Sequence, residues 1–182
     1  MRTIKVICLS RQDFETEMDR LELKRIGAPK PGMSVISICS ENDDLNKDHY
    51  FVSPCTNVFN LDVDDCSPSW LGRFEDEIID GKPHDDRYYN HFQEVGDGYV
   101  LLHAMDHYQA YKLALWIDDR LKADDTIYIH CSAGLSRSQA IFRFIQDTYG
   151  GEVNIVGNPN NPCTTPNMHI VRMLKRNGPS SW

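Results

Sequence analysis

Residues 126–138 read TIYIHCSAGLSRS, a strand-forming run that leads through a short polar loop into a helix. The run at 126–130 is rich in Thr, Ile and Tyr, which favour strands. From about Arg137, apolar residues recur on one helical face: Ile141, Phe144, Ile145 and Tyr149. Because functional sites in α/β proteins lie at the carboxyl ends of strands, this loop is the first candidate for chemistry.

The rest of the chain alternates strands and helices in the same way. Further strands are predicted at 3–9, 33–39 and 57–63. Further helices are predicted to begin after Ser10, after Asp106 and at Asn167. This alternation predicts an α/β fold in which helices flank a central, largely parallel twisted sheet.

Two of these helices have recognisable starts. Ser10 with Asp13, and Asp106 with Gln109, have the three-residue spacing of a capping box. In that motif the first side chain accepts a hydrogen bond from the backbone of the later residue, and the later side chain returns to the start of the helix. We therefore expect helices to begin directly after Ser10 and Asp106.

Residues 66–106 do not follow the alternation. A short helix is predicted at 71–80, and residues 83–98 are rich in Asp, His, Tyr and Gly without any period. Long irregular stretches inside compact domains are commonly functional loops. The sequence therefore predicts a single domain over 1–182 with an insertion or lid at 66–106.

Composition and charge exclude several classes of protein. Hydrophobic residues make up 41% of the 182 residues, and no apolar run approaches the ~18 residues of a membrane span. The net charge of −8 would repel nucleic acid. Six cysteines are scattered without CxxC or Cys–His spacing, and no export signal is evident. We therefore expect a cytoplasmic protein without nucleic-acid or membrane partners, metal or cofactor; its oligomeric state is not predicted.

The loop at 131–137 has the composition of an anion-binding site. Five residues separate Cys131 from Arg137, and the small side chains among them let the backbone approach a ligand closely. Successive N–H groups in such a loop can surround one anion. The residues expected to bind the anion are Ser132, Ala133, Gly134, Leu135, Ser136 and Arg137. Gly134 supplies a backbone conformation that other residues resist.

The side chains around this loop suit nucleophilic chemistry on phosphorus. A helix N-terminus and a nearby guanidinium favour the thiolate form of cysteine, so Cys131 is the expected nucleophile. The planar fork of Arg137 can hold two phosphate oxygens. Ser138 is expected to donate a hydrogen bond to the sulfur, and His130 is expected to orient the loop through hydrogen bonds. The loop is not a Walker loop, because no GxxxxGK[ST] motif is present.

The segment HCSAGLSRS resembles the signature of the protein tyrosine phosphatases, which is His-Cys, five residues, Arg, then Ser or Thr. The short chain and the Ala-Gly-x-Ser-Arg-Ser form are most similar to the compact dual-specificity branch. The resemblance is clear over 107–149 and extends plausibly back to residue 33. It implies hydrolysis of phosphomonoesters through a cysteinyl-phosphate intermediate, without metal, on phosphorylated proteins and foremost on phosphotyrosine.

The resemblance also implies an aspartic acid that protonates the leaving group. Asp65 stands where that acid is expected, after the predicted strand at 57–63, and Asp64, Asp97 and Asp106 are the alternatives. The expected catalytic residues are therefore Cys131, Arg137, Asp65 and Ser138. Two other functions stay open. One is a phosphate-binding interaction module with weak or no turnover. The other is the same chemistry on a non-protein phosphoester, such as an RNA 5′-phosphate or a phosphoinositide.

Overall fold

The structure, a computed structural model, describes residues 2–40, 42, 48–51, 55–66, 90–95, 98–151, 153–157 and 165–178. The predicted helix at 71–80 and Asp97 lie outside the described residues, as does most of the predicted insertion. No described helix is long and apolar enough to cross a membrane.

The described elements confirm the predicted α/β class, with a parallel sheet flanked by helices. Seven strands are described: β1 (Arg2–Ser10), β2 (Met33–Cys39), β3 (Val58–Asp62), β4 (Asn90–Val95), β5 (Gly98–His103), β6 (Thr126–Cys131) and β7 (Val153–Val156). Four helices are described: α1 (Arg11–Arg20), α2 (His107–Lys122), α3 (Arg137–Tyr149) and α4 (Met168–Asn177).

Five strands form the central sheet, in the order β3-β2-β6-β1-β7, and every neighbouring pair is parallel. Strand β6 therefore lies in the middle of the sheet. Its last residue, Cys131, is in register with Ser10 at the end of β1, and His130 is in register with Ser37 of β2. The loop after β6 consequently starts at the carboxyl edge of the sheet.

The central strands are apolar because the sheet is buried on both faces. All seven residues of β2 are buried. Ile36 and Ile38 face the core formed with α2, α3 and α4, while Met33 and Val35 face a smaller core that includes Phe14 of α1. Helices thus cover both sides of the sheet, and its carboxyl edge is left to the loops.

Both predicted helix starts are capped, but only Asp106 and Gln109 form the complete capping box; at Ser10 the Asp13 side chain meets the Ser10 hydroxyl and not the Ser10 backbone. The Ser10 hydroxyl accepts a hydrogen bond from Asp13 N and lies 2.7 Å from the Asp13 carboxylate. Asp106 accepts from Gln109 N at 2.7 Å, and the Gln109 side chain accepts from Asp106 N at 3.0 Å. The Asp106 carboxylate therefore accepts a hydrogen bond from the first turn of α2 and caps this helix.

Three strands were not predicted from the sequence. Strands β4 and β5 pair as an antiparallel hairpin within the stretch read as irregular, and β7 is an edge strand of the sheet. In the sequence, the Gly96-Asp97 dipeptide between the two strands is typical of a two-residue hairpin connection. Strand β7 has only four residues, which pair with Arg2–Lys5 of β1. A strand this short shows no clear alternation of apolar and polar residues.

Candidate active site

The Cys131 side chain lies at the junction of β6 and α3. Its sulfur is 3.3 Å from the hydroxyl oxygen of Ser138, in the first turn of α3. Cys131 is 2% exposed and Ser138 is fully buried. The structure thus brings the predicted nucleophile and its predicted hydrogen-bond partner into contact beneath the 131–137 loop.

Most carbonyl oxygens of this loop are hydrogen-bonded to donors from outside it. The acceptors and their donors are Ser132 with Arg11 N at 2.9 Å, Gly134 with Gln139 Nε2 at 3.2 Å, Leu135 with Thr165 Oγ1 at 3.3 Å, and Ser136 with Asn167 N at 3.2 Å. In a planar trans peptide the N–H points away from the carbonyl of the same unit. The amides of residues 133, 135, 136 and 137 therefore point away from these donors.

The loop can take this path because of Gly134. Its φ is +71°, in the left-handed region where side chains are strained. A Cβ at this position would lie 2.6 Å from backbone atoms of Leu9 and Ser10. The end of β1 therefore packs directly against the loop, and no residue larger than glycine fits there without displacing backbone.

The Arg137 side chain is turned into the protein. It is 6% exposed, and its Nη1 donates a hydrogen bond to the carbonyl oxygen of Val63 at 3.1 Å. Val63 leads directly into Asp64 and Asp65, after the end of β3. The guanidinium therefore joins the 131–137 loop to the segment that carries the predicted acid.

Asp65 lies at the rim of the loop. It is exposed, and its Oδ1 accepts hydrogen bonds from Ser136 Oγ and from Asn167 Nδ2, each at 2.7 Å. Ser136 therefore meets Asp65 through its side chain, although the sequence assigned it to anion binding. Ala133 and Leu135, from the same predicted set, have exposed side chains, and Ser132 is half-buried.

The alternative acids are placed differently. Asp64 is buried, and its carboxylate accepts hydrogen bonds from Ser40 Oγ, from Asn42 Nδ2 at 3.1 Å and from His103 N at 2.6 Å. Ser40 follows β2 and His103 ends β5, so the Asp64 carboxylate links the ends of these strands to the segment after β3. Asp106 caps α2. Of the described candidates, Asp65 is the one hydrogen-bonded to the 131–137 loop.

His130 does not orient the loop through side-chain hydrogen bonds to any described residue, contrary to the expectation from sequence. Its ring is fully buried, and neither ring nitrogen has a hydrogen-bond partner in the described part of the chain. The ring instead stacks on Phe14, with 4.2 Å between centroids. Burial, with the nearby charge of Arg11, holds the pKa of His130 well below its ordinary value, so the ring is neutral and packs as an aromatic group.

Two residues of the site were missed in the sequence. Gln139 holds the Gly134 carbonyl, and Asn167 contacts both Asp65 and the loop. Asn167 follows Pro166 and precedes a helical pattern, which is the position of an N-cap, and it does cap α4. That signal locates the helix start, but it contains no information on which distant carboxylate the amide contacts.

No family model, curated protein or solved structure matches this chain. The family resemblance therefore depends on the HCSAGLSRS segment and its place between β6 and α3. Within the described ranges, no group of three or more His, Cys, Asp or Glu side chains is arranged to hold a metal ion.

Proposed function

We propose that this protein is a phosphomonoester hydrolase of the protein tyrosine and dual-specificity phosphatase type, acting on phosphorylated proteins and foremost on phosphotyrosine. One observation carries the proposal. Cys131 and Arg137 are both buried at the two ends of one loop, at the carboxyl edge of the sheet, and the exposed carboxylate of Asp65 is hydrogen-bonded to that loop. A cysteine with a purely structural role would need neither a buried arginine at the other end of its loop nor a carboxylate hydrogen-bonded to that loop.

In the first step, the Cys131 thiolate attacks phosphorus, so that an S–P bond forms and the bond from phosphorus to the leaving oxygen breaks. Asp65 gives its proton to that oxygen, which leaves as a phenol or alcohol. The exposed position of Asp65 at the rim suits this role, since the leaving group must face away from the sulfur for in-line attack.

In the second step, water attacks the phosphocysteine. Asp65, now a carboxylate, takes a proton from the water, the S–P bond breaks, and inorganic phosphate and the Cys131 thiolate are released. Ser138 is placed to donate a hydrogen bond from its hydroxyl to the departing sulfur, because Oγ and Sγ are 3.3 Å apart. A hydrogen bond to a charged sulfur stabilises the leaving thiolate.

Throughout both steps, Arg137 and the loop amides hold the non-bridging phosphate oxygens. Donors fixed before reaction stabilise developing charge without further reorganisation. To do so, the guanidinium must present N–H groups to the phosphate oxygens, and its planar fork carries five N–H donors, of which one on Nη1 binds Val63 O.

The proposed compartment is the cytoplasm. Cys8, Cys39, Cys55, Cys66 and Cys131 are free thiols in the structure. Free thiols persist in reducing compartments, where a nucleophilic cysteine stays reduced. The six cysteines of the sequence and the acidic net charge are compatible with that setting.

The test is hydrolysis of 4-nitrophenyl phosphate and of a phosphotyrosine peptide by the full chain in EDTA. We expect turnover, and a loss of about a thousandfold or more in Cys131→Ser. Cys66→Ser is the matched control: Cys66 is a buried thiol outside the 131–137 loop, and burial and nearby carboxylates raise its pKa to about 12. Folded protein that binds vanadate without turnover would support the interaction module instead.

A further inference from the structure

Two hydrogen-bond donors converge on one oxygen of Asp65. Ser136 Oγ and Asn167 Nδ2 each lie 2.7 Å from Oδ1. The two donors come from the starts of two different helices, since Ser136 directly precedes α3 and Asn167 directly precedes α4. The carboxyl group is therefore held by one of its two oxygens.

Asn167 is itself fixed in place. It is 5% exposed, its Nδ2 also donates to the Cys66 carbonyl at 2.9 Å, and its Oδ1 accepts from Ile170 N at 3.1 Å. Its backbone N donates to the Ser136 carbonyl at 3.2 Å. Because both ends of the amide are engaged, the NH₂ group is directed at Asp65 and cannot exchange places with the oxygen without losing every one of these side-chain bonds.

The two donors decide where a proton on Asp65 resides. A protonated carboxyl has one carbonyl oxygen, which accepts hydrogen bonds, and one hydroxyl oxygen, which donates. Oδ1 receives two donors, and a carbonyl oxygen accepts two hydrogen bonds better than a hydroxyl oxygen does, so Oδ1 takes the carbonyl role. The proton is then carried by Oδ2, away from Ser136 and Asn167.

We propose that Asn167, together with the Ser136 hydroxyl, is a positioning residue that directs the transferable proton of Asp65 to Oδ2 for delivery to the leaving oxygen. This inference rests on the proposed function. When Oδ2 gives up its proton, the carboxylate keeps both donors on Oδ1, and bonds to a charged acceptor are stronger than bonds to a neutral one. Asn167 and Ser136 therefore favour the product of the proton transfer.

The decisive variant is Asn167→Ser. Serine is a good N-cap, so α4 keeps its start, while the NH₂ group that meets Asp65 is removed. The substrates are phenyl phosphate, whose leaving group needs a proton, and 2,4-dinitrophenyl phosphate, whose leaving group does not. We expect kcat for phenyl phosphate to fall about 10- to 100-fold, and kcat for the dinitrophenyl ester to change by less than about twofold.

Asn177→Ser is the matched control, because Asn177 lies at the other end of α4 and bonds Met173 and His107 rather than the loop. Ser136→Ala removes the second donor and should show the same dependence on leaving group. Equal losses on both esters, or no loss, in Asn167→Ser overturn the inference while leaving the proposed function intact. A wild-type chain that hydrolyses neither ester overturns the proposed function instead.

Discussion

The Nη1 atom of Arg137 lies 3.1 Å from the carbonyl oxygen of Val63 and donates a hydrogen bond to it. These residues are 74 positions apart in the sequence. The contact holds the start of α3 against the segment that ends in Asp65, so the 131–137 loop and the proposed acid belong to one connected unit.

Replacing Arg137 by Lys keeps the charge and removes the planar fork. We expect kcat/KM for aryl phosphates to fall about 100-fold or more, since a lysine ammonium cannot hold two phosphate oxygens in the same geometry. Arg143→Lys is the control, because Arg143 is a partly exposed residue of α3 that pairs with Asp147. Equal rates in the two variants would contradict a clamping role for Arg137.

Ser138→Ala should slow the second chemical step selectively. The Ser138 hydroxyl contacts the Cys131 sulfur, and a hydrogen bond to a charged group is worth about 1.5–3 kcal/mol, so we expect kcat to fall about 10- to 100-fold. Stopped-flow measurement with 4-nitrophenyl phosphate should then show a burst of nitrophenol followed by slow turnover. A variant without a burst, slowed in its first turnover, argues against this role.

The adjacent carboxylates should separate activity from stability. Asp65→Asn should lower kcat for phenyl phosphate about 100-fold or more, because the amide has no proton to give to the leaving oxygen. Asp64→Asn should instead lower the free energy of unfolding by about 1–3 kcal/mol, because its NH₂ group would face the donors from Ser40, Asn42 and His103. Urea unfolding and steady-state kinetics on both variants check this; the opposite assignment would identify Asp64 as the acid.

Gly134→Ala should disturb the loop. The positive φ and the 2.6 Å approach to the backbone of Leu9 and Ser10 predict a loss of about 1–3 kcal/mol in the free energy of unfolding, together with a loss of activity. Gly151→Ala is the matched control, since a Cβ there meets nothing within 4 Å. Similar stabilities for the two variants would mean that the loop does not need glycine.

The free energy of unfolding should depend on pH through His49. Burial lowers the pKa of His49, but hydrogen bonding and charge interactions with Asp62 and Cys39 outweigh it and raise the pKa to about 9. The folded chain holds this proton more tightly than the unfolded chain, whose value is 6.5. The stabilisation is therefore fully present below pH 6.5 and is lost as pH rises through about 9.

His49→Gln should remove this part of the pH dependence. The effect should be about 1 kcal/mol or less, because Asp62 is exposed and water screens the pair. Chemical unfolding of wild type and variant across this pH range is the measurement. If the free energy of unfolding of the variant falls with rising pH as much as that of the wild type, groups other than His49 cause the fall.

The fold class could be predicted because its evidence is local. Residues 33–39 are apolar at nearly every position, which is typical of a strand buried on both faces, and the structure has β2 with those bounds. The hairpin β4–β5 was missed, because its strands pair mainly with each other and their apolar pattern is weak. Leu61 and Val63 are buried as alternation predicts, but β3 ends at Asp62, so alternation does not decide the orientation of Asp64 and Asp65.

The sequence by itself determined the loop, because Cys131, Gly134, Arg137 and Ser138 lie within eight consecutive residues and a strand followed by a helix brings them together. Only the tertiary structure decided which carboxylate meets that loop and what holds it. Asp65 is 71 residues from Ser136 and 102 residues from Asn167. Contacts over such separations depend on which strand ends meet at the edge of the sheet, and no local pattern in one sequence records that.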